Sequence, residues 1–84
     1  NKAIEISNLI DSIKQFDQTV LPATKESLRI AEMAYQAGKI SLLEFNSIKQ
    51  IWLDKHLARF DLWLALQNQI AEVERNYVTN LNQE

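Results

Sequence analysis

The chain has 84 residues, 46% of them hydrophobic and 24% charged, with a net charge of −2. That is one small domain, which buries only roughly 60–65% of the surface its unfolded chain exposes. Cysteine is absent, excluding disulfides and cysteine zinc sites, and the nine Lys and Arg are spread too evenly to form the basic face that nucleic-acid binding needs.

One Gly and one Pro leave little for β-turns, while Ala, Leu, Glu, Gln, Lys and Ile dominate, the balance of long helices. No apolar run approaches the roughly 20 residues that cross a bilayer, and no signal peptide opens the sequence. Starting at Asn1, the chain reads as a piece of a longer protein.

From Ile4 to Tyr35, apolar residues recur every three or four positions: Ile6, Leu9, Ile13, Phe16 and Val20, then Leu28, Ala31 and Tyr35. This spacing puts them on one helical stripe. Pro22 removes a hydrogen bond and crowds the carbonyl of Gln18, so it should kink this first arm. Leu21, just before it, should be pushed away from helical dihedrals.

Gly38 follows the last periodic residue and can take the left-handed conformation that ends a helix. Ser41-Leu42-Leu43-Glu44 then reads as a capping box. The Ser41 hydroxyl would accept from the N–H of residue 44, and Glu44 would reach back to the N–H of Ser41. Ile40 and Phe45 occupy the positions of a hydrophobic staple. Stop, turn and start fit within about five residues, which favours antiparallel neighbours.

The second segment carries Leu43, Ile48, Ile51, Trp52, Leu57, Phe60, Leu64, Ile70, Val73 and Tyr77. The expected fold is therefore all-α, a single coiled-coil-like antiparallel two-helix hairpin. Helix 1 spans about 2–36, kinked near Pro22. The turn at Gly38 covers 37–41, and helix 2 covers about 42–82.

Helix 2 has more apolar surface than one partner can cover. Leu62-Trp63-Leu64-Ala65-Leu66 is apolar around the whole helix. Such a helix packs against more than one neighbour, and leaving Trp63 or Leu66 in water forfeits on the order of 2 kcal/mol each. Self-association or packing within a larger assembly is expected through Trp52, Phe60, Trp63 and Leu66. Trp52 and Trp63 lie eleven residues apart, nearly on one helical face, and read as packing anchors.

No catalytic constellation appears: no Ser/His or Cys/His pairing at a turn, no glycine-rich phosphate loop, no histidine pair. Carboxylates alternate with lysines as on ordinary solvent faces. The chain is read as a non-enzyme without cofactor or metal. His56, beside Asp54 and Lys55, reads as a surface residue rather than a ligand.

Around the turn the residues become distinctive: Leu21-Pro22-Ala23, Leu28-Arg29-Ile30-Ala31-Glu32, and Tyr35-Gln36-Ala37-Gly38-Lys39-Ile40-Ser41-Leu42-Leu43-Glu44-Phe45. With Val73-Glu74-Arg75 further on, this stretch resembles the second-repeat periplasmic hairpin of TolC-like outer-membrane efflux factors, nearest the heavy-metal, CzcC-like branch. The resemblance covers Leu21 to Arg75.

It implies a channel of three subunits in a Gram-negative bacterium: a β-barrel in the outer membrane continued by an α-helical barrel across the periplasm. The hairpin turns form the gated inner mouth of that barrel and dock the hairpin tips of a periplasmic adaptor, the membrane fusion protein linked to an inner-membrane pump. On that pattern the docking or gating tip is Tyr35, Gly38, Lys39, Ser41, Leu42 and Glu44, with no membrane contact in this segment.

Each tip residue also has a plainer reading. Tyr35 ends the apolar stripe, Lys39 is an exposed turn lysine, and Glu44 completes the cap. The competing function is a stand-alone interaction or scaffold module that self-associates into a helical bundle. A further variant, the adaptor's own hairpin, fits the tip pattern less well.

Overall fold

The computed structural model describes residues 1–82, and all secondary structure among them is helical. Helix α1 covers Lys2–Gln15, a π-helical turn follows at Phe16–Val20, α2 covers Leu21–Gln36, and α3 covers Leu42–Asn82. The molecule is a rod of 70 × 18 × 14 Å. Among the described residues no helix is long and apolar enough to cross a membrane.

Local chemistry sets the helix starts. Asn1 Oδ1 accepts from the N–H of Ile4 at 3.0 Å at the start of α1, and Ser41 Oγ accepts from the N–H of Glu44 at 3.1 Å at the start of α3. Each satisfies one of the amides a helix leaves unpaired at its N-terminus. The return bond from the Ser41 N–H to the Glu44 carboxylate does not form, so only half of the expected capping box is built. Both residues are exposed, so the remaining amide is open to solvent.

Helices α1 and α2 both lie along α3. Lys2 reaches Glu72, Asp17 reaches Arg59, and Tyr35 stacks on Phe45. On α3 the seam is made by half-buried Phe45, Ile48, Trp52, Leu62, Leu66 and Gln69, with Arg59 between. Those positions follow a seven-residue repeat, which keeps one face toward a neighbouring helix along its length. Ile6, Leu9, Ile13, Phe16 and Val20 face it first, followed by Thr24, Leu28 and Ala31. Ala31 is the one buried residue among those described; no large side chain is fully enclosed.

The π turn has an identifiable cause in this pattern. Ile6, Leu9, Ile13, Phe16 and Val20 keep a 3-4-3-4 spacing whose continuation falls on residues 23, 27 and 30. The seam residues that follow are 24, 28 and 31, each one position late. A turn closed by i→i+5 bonds takes up one extra residue, so the π turn absorbs the slip and keeps both halves of the arm on the seam.

Pro22 lies in the first turn of α2, just beyond the π turn. Contrary to expectation, Leu21 keeps helical dihedrals, with φ −66° and ψ −44°, and its N–H bonds to the Phe16 carbonyl five residues back. The wider turn eases the crowding that proline imposes on the preceding carbonyls.

Two charged ties cross the seam. Arg59 donates Nε and Nη2 to the two Asp17 carboxylate oxygens at 3.1 Å each, fastening the π turn to mid-α3. Lys2 Nζ donates to Gln69 at 2.9 Å and to Glu72 at 3.0 Å. Surface pairs of this kind add little stability, but they penalise a slipped register.

Candidate interaction surfaces at the turn and along α3

The stretch from Ala34 to Phe45 is ordered by its backbone. The Gly38 N–H bonds to the Tyr35 carbonyl at 3.0 Å and the Lys39 N–H to the Ala34 carbonyl at 2.8 Å. This pair of bonds is the Schellman motif, which needs a left-handed residue just past the helix. Gly38 supplies it with φ +72°. A Cβ there would meet nothing within 4 Å, so glycine is required by backbone conformation, not by crowding inside the chain.

Tyr35 and Phe45 close the base of the turn, their rings stacked at 5.4 Å and 13°. Such a pair adds about 0.5–1.5 kcal/mol beyond its area. Lys49 Nζ lies 6.0 Å from the Phe45 ring, at the outer limit of cation–π attraction. Beyond the stack, Lys39, Ser41, Leu42 and Glu44 are all exposed. Leu43 is 77% exposed, the most open large apolar side chain among those described. Ile30 and Met33 on α2 are open as well.

The six expected tip residues are thus gathered at one end of the rod. The sequence reading overlooked Phe45 as the ring partner of Tyr35, and Leu43 as the most exposed apolar group. The signal for Phe45 was its staple position, four residues into the helix. Leu43 had no signal beyond hydrophobicity.

The four expected packing residues do not share a face. Trp52 and Leu66 lie half-buried on the seam, whereas Phe60 and Trp63 are exposed and stack on each other at 6.1 Å and 18°. At 3.6 residues per turn, Trp52 and Trp63 would nearly coincide. The 3.5-residue period of the seam adds roughly 3° per residue, carrying Trp63 off it. Trp52 instead packs on His56, with centroids 4.6 Å apart. An open groove of about 820 Å³ runs beside this pair, walled by Pro22, Leu28 and Arg29.

Three charged pairs away from the turn shift the ionisation of their members. The Arg59 hydrogen bond holds Asp17 below its ordinary pKa, and the Arg29 hydrogen bond does the same for Glu26. The hydrogen bond to Glu72 raises Lys2. Among the described residues no group of three His, Asp or Glu side chains could hold a metal ion.

No protein-family model, curated protein or solved structure matches the chain.

Proposed function

We propose that this chain is the periplasmic tip segment of a TolC-like outer-membrane efflux channel. In this reading it works as an antiparallel helical hairpin that bends near Pro22 and reverses at Gly38. Three copies in the longer protein form the inner mouth of an α-barrel, in the periplasm of a Gram-negative bacterium. The turn docks the hairpin tips of a periplasmic adaptor within a tripartite export system. Exported metal cations or small toxic compounds pass through the lumen without binding this segment.

The observation that supports this reading best is the turn itself. Its backbone is fixed by the two bonds around Gly38 and braced by the Tyr35–Phe45 stack, yet it holds Leu42 and Leu43 open to solvent. Exposed leucines on a rigid turn suit a partner's apolar tip, because little entropy is lost on docking.

Titration calorimetry against the hairpin domain of a periplasmic adaptor tests it. Leu43→Asp and Gly38→Asn should each weaken binding at least about tenfold, a loss of about 1.4 kcal/mol. Asparagine tolerates the left-handed conformation, so a loss in Gly38→Asn reports the added side chain rather than a broken turn. Wild-type affinity in both variants rejects docking at this turn.

A second reading, a self-associating interaction module, is favoured by the run of exposed apolar side chains on α3 from Ile51 to Leu64.

A further inference from the structure

Along α3, the face turned away from the seam carries its own seven-residue repeat. Leu53, Leu57, Phe60 and Leu64 follow one another at spacings of four, three and four, and are 44%, 53%, 52% and 41% exposed. Measured around the helix, this stripe lies about half a turn from the seam residues Trp52, Leu62 and Leu66. Neither α1 nor α2 reaches it. Gln67, Ala71 and Glu74 occupy the next positions of the same kind, none of them a large apolar side chain, so the apolar contact is short, about 17 Å or three turns.

The flanks of the stripe indicate what covers it. Lys49 and His56 border one side; Asp54 and Asp61 border the other. Two copies of α3 laid side by side in the same direction bring Lys49 of each against Asp54 of its neighbour, and His56 against Asp61, by the rule for parallel pairs. Leu57 then meets Leu57 and Phe60 meets Phe60 across a two-fold axis. An antiparallel pairing centred on the same stripe sets Asp54 of each copy beside Asp61 of the other, a like-charge contact, and leaves Lys49 without an acid. Asp54 already accepts from Gln50 at 2.8 Å, so its carboxylate is oriented before a partner arrives.

We propose that a second copy of this chain covers the stripe, forming a parallel dimer along α3 through Leu53, Leu57, Phe60 and Leu64. The inference is independent of docking at the turn, and it gives the self-association reading a specific face and direction. Burying three turns of one helix per copy falls at the low end of specific interfaces, so the dimer is weak and forms in the high micromolar range.

The test uses the 84-residue chain, which has no cysteine of its own. Leu57→Cys, mildly oxidised, should give a disulfide-linked dimer, because the parallel pairing puts the two thiols face to face. A cysteine exposed on the other arm, in Ser27→Cys on α2, should not cross-link. By sedimentation, Phe60→Glu should raise the dimer dissociation constant at least about tenfold with helix content by circular dichroism unchanged. Lys49→Asp should weaken the dimer, and Lys49→Asp with Asp54→Lys should restore it. A strict monomer at high micromolar concentration overturns the proposal. So does indifference to the charge swap, which removes the parallel direction. An oligomer that survives Phe60→Glu also overturns this face, while leaving the self-association reading standing.

Discussion

Gly38 shows how one residue constrains the molecule's sharpest feature. At φ +72° with open space around its α-carbon, it tolerates added volume but not the wrong backbone preference. The left-handed conformation costs an L residue roughly 1–2 kcal/mol, and asparagine less. Urea unfolding should therefore rank Gly38→Asn nearest wild type and Gly38→Val lowest, with a loss of at least about 1 kcal/mol. Equal stability for the two would mean that the turn has relaxed out of the Schellman geometry. Three residues on, Ser41 makes a different contribution, its hydroxyl satisfying the Glu44 amide. Ser41→Ala should cost about 0.5–2 kcal/mol in the same assay and Ser41→Asp almost nothing, whereas Glu44→Ala should have little capping effect, since its return bond is not made.

At the scale of the element, the first arm turns on its one-residue slip. The π turn sits where the seam pattern jumps from residue 20 to residue 24. If the slip is its cause, removing Pro22 alone should leave the wide turn in place. Pro22→Ala should retain i→i+5 contacts at 16–21 in nuclear Overhauser spectra. Deleting Thr19, which is exposed within the turn, together with Pro22→Ala should convert 2–36 to continuous α-helix with both seams aligned and the melting temperature preserved. Deleting Asn8, an exposed residue of α1, leaves the step from 20 to 24 uncorrected and throws the start of α1 off the seam, so it should lower the melting temperature. A collapse in the Thr19 deletion as large as in the Asn8 deletion would discard the register explanation.

That slip also marks what could be read in advance. Helical content was legible because one Gly and one Pro in the chain leave few ways to stop a helix, and the Ser41 cap because a hydroxyl three residues before an amide is a local fact. The π turn was not legible. Spacings of three and four are both helical, and only the arm's alignment on α3 shows that one step is a residue late. Division of α3 into a covered and an open face was hidden for a similar reason. Leu62 to Leu66 is apolar on all sides, so residue type cannot tell Leu66, on the seam, from Leu64, on the opposite face. Only the position of α1 and α2 decides it.

At the scale of the whole molecule, a 70 Å rod with one small buried residue has little enclosed apolar volume to set its register, and the two charged ties acquire weight they would lack in a globule. Their pH ranges follow from the direction of each shift. Asp17 is held below its ordinary 3.8 by the Arg59 hydrogen bond, so its tie is fully present above about that pH and is lost as pH falls through the lowered value. Lys2 is held above its ordinary 10.5 by Glu72, so its tie is complete below that pH and is lost as pH rises through the raised value. Melting temperature against pH should therefore be flat through neutrality and fall at both ends. Glu26, lowered by Arg29 within α2, adds to the acid limb without crossing the seam, which separates the two effects. Asp17→Asn should flatten part of the acid limb and Lys2→Met the alkaline one. All of these groups are solvent-exposed, so raising the salt from low to high should shrink both limbs in the wild-type chain. An acid limb unaltered in Asp17→Asn would show that the tie between the π turn and α3 contributes nothing to holding the two arms in register.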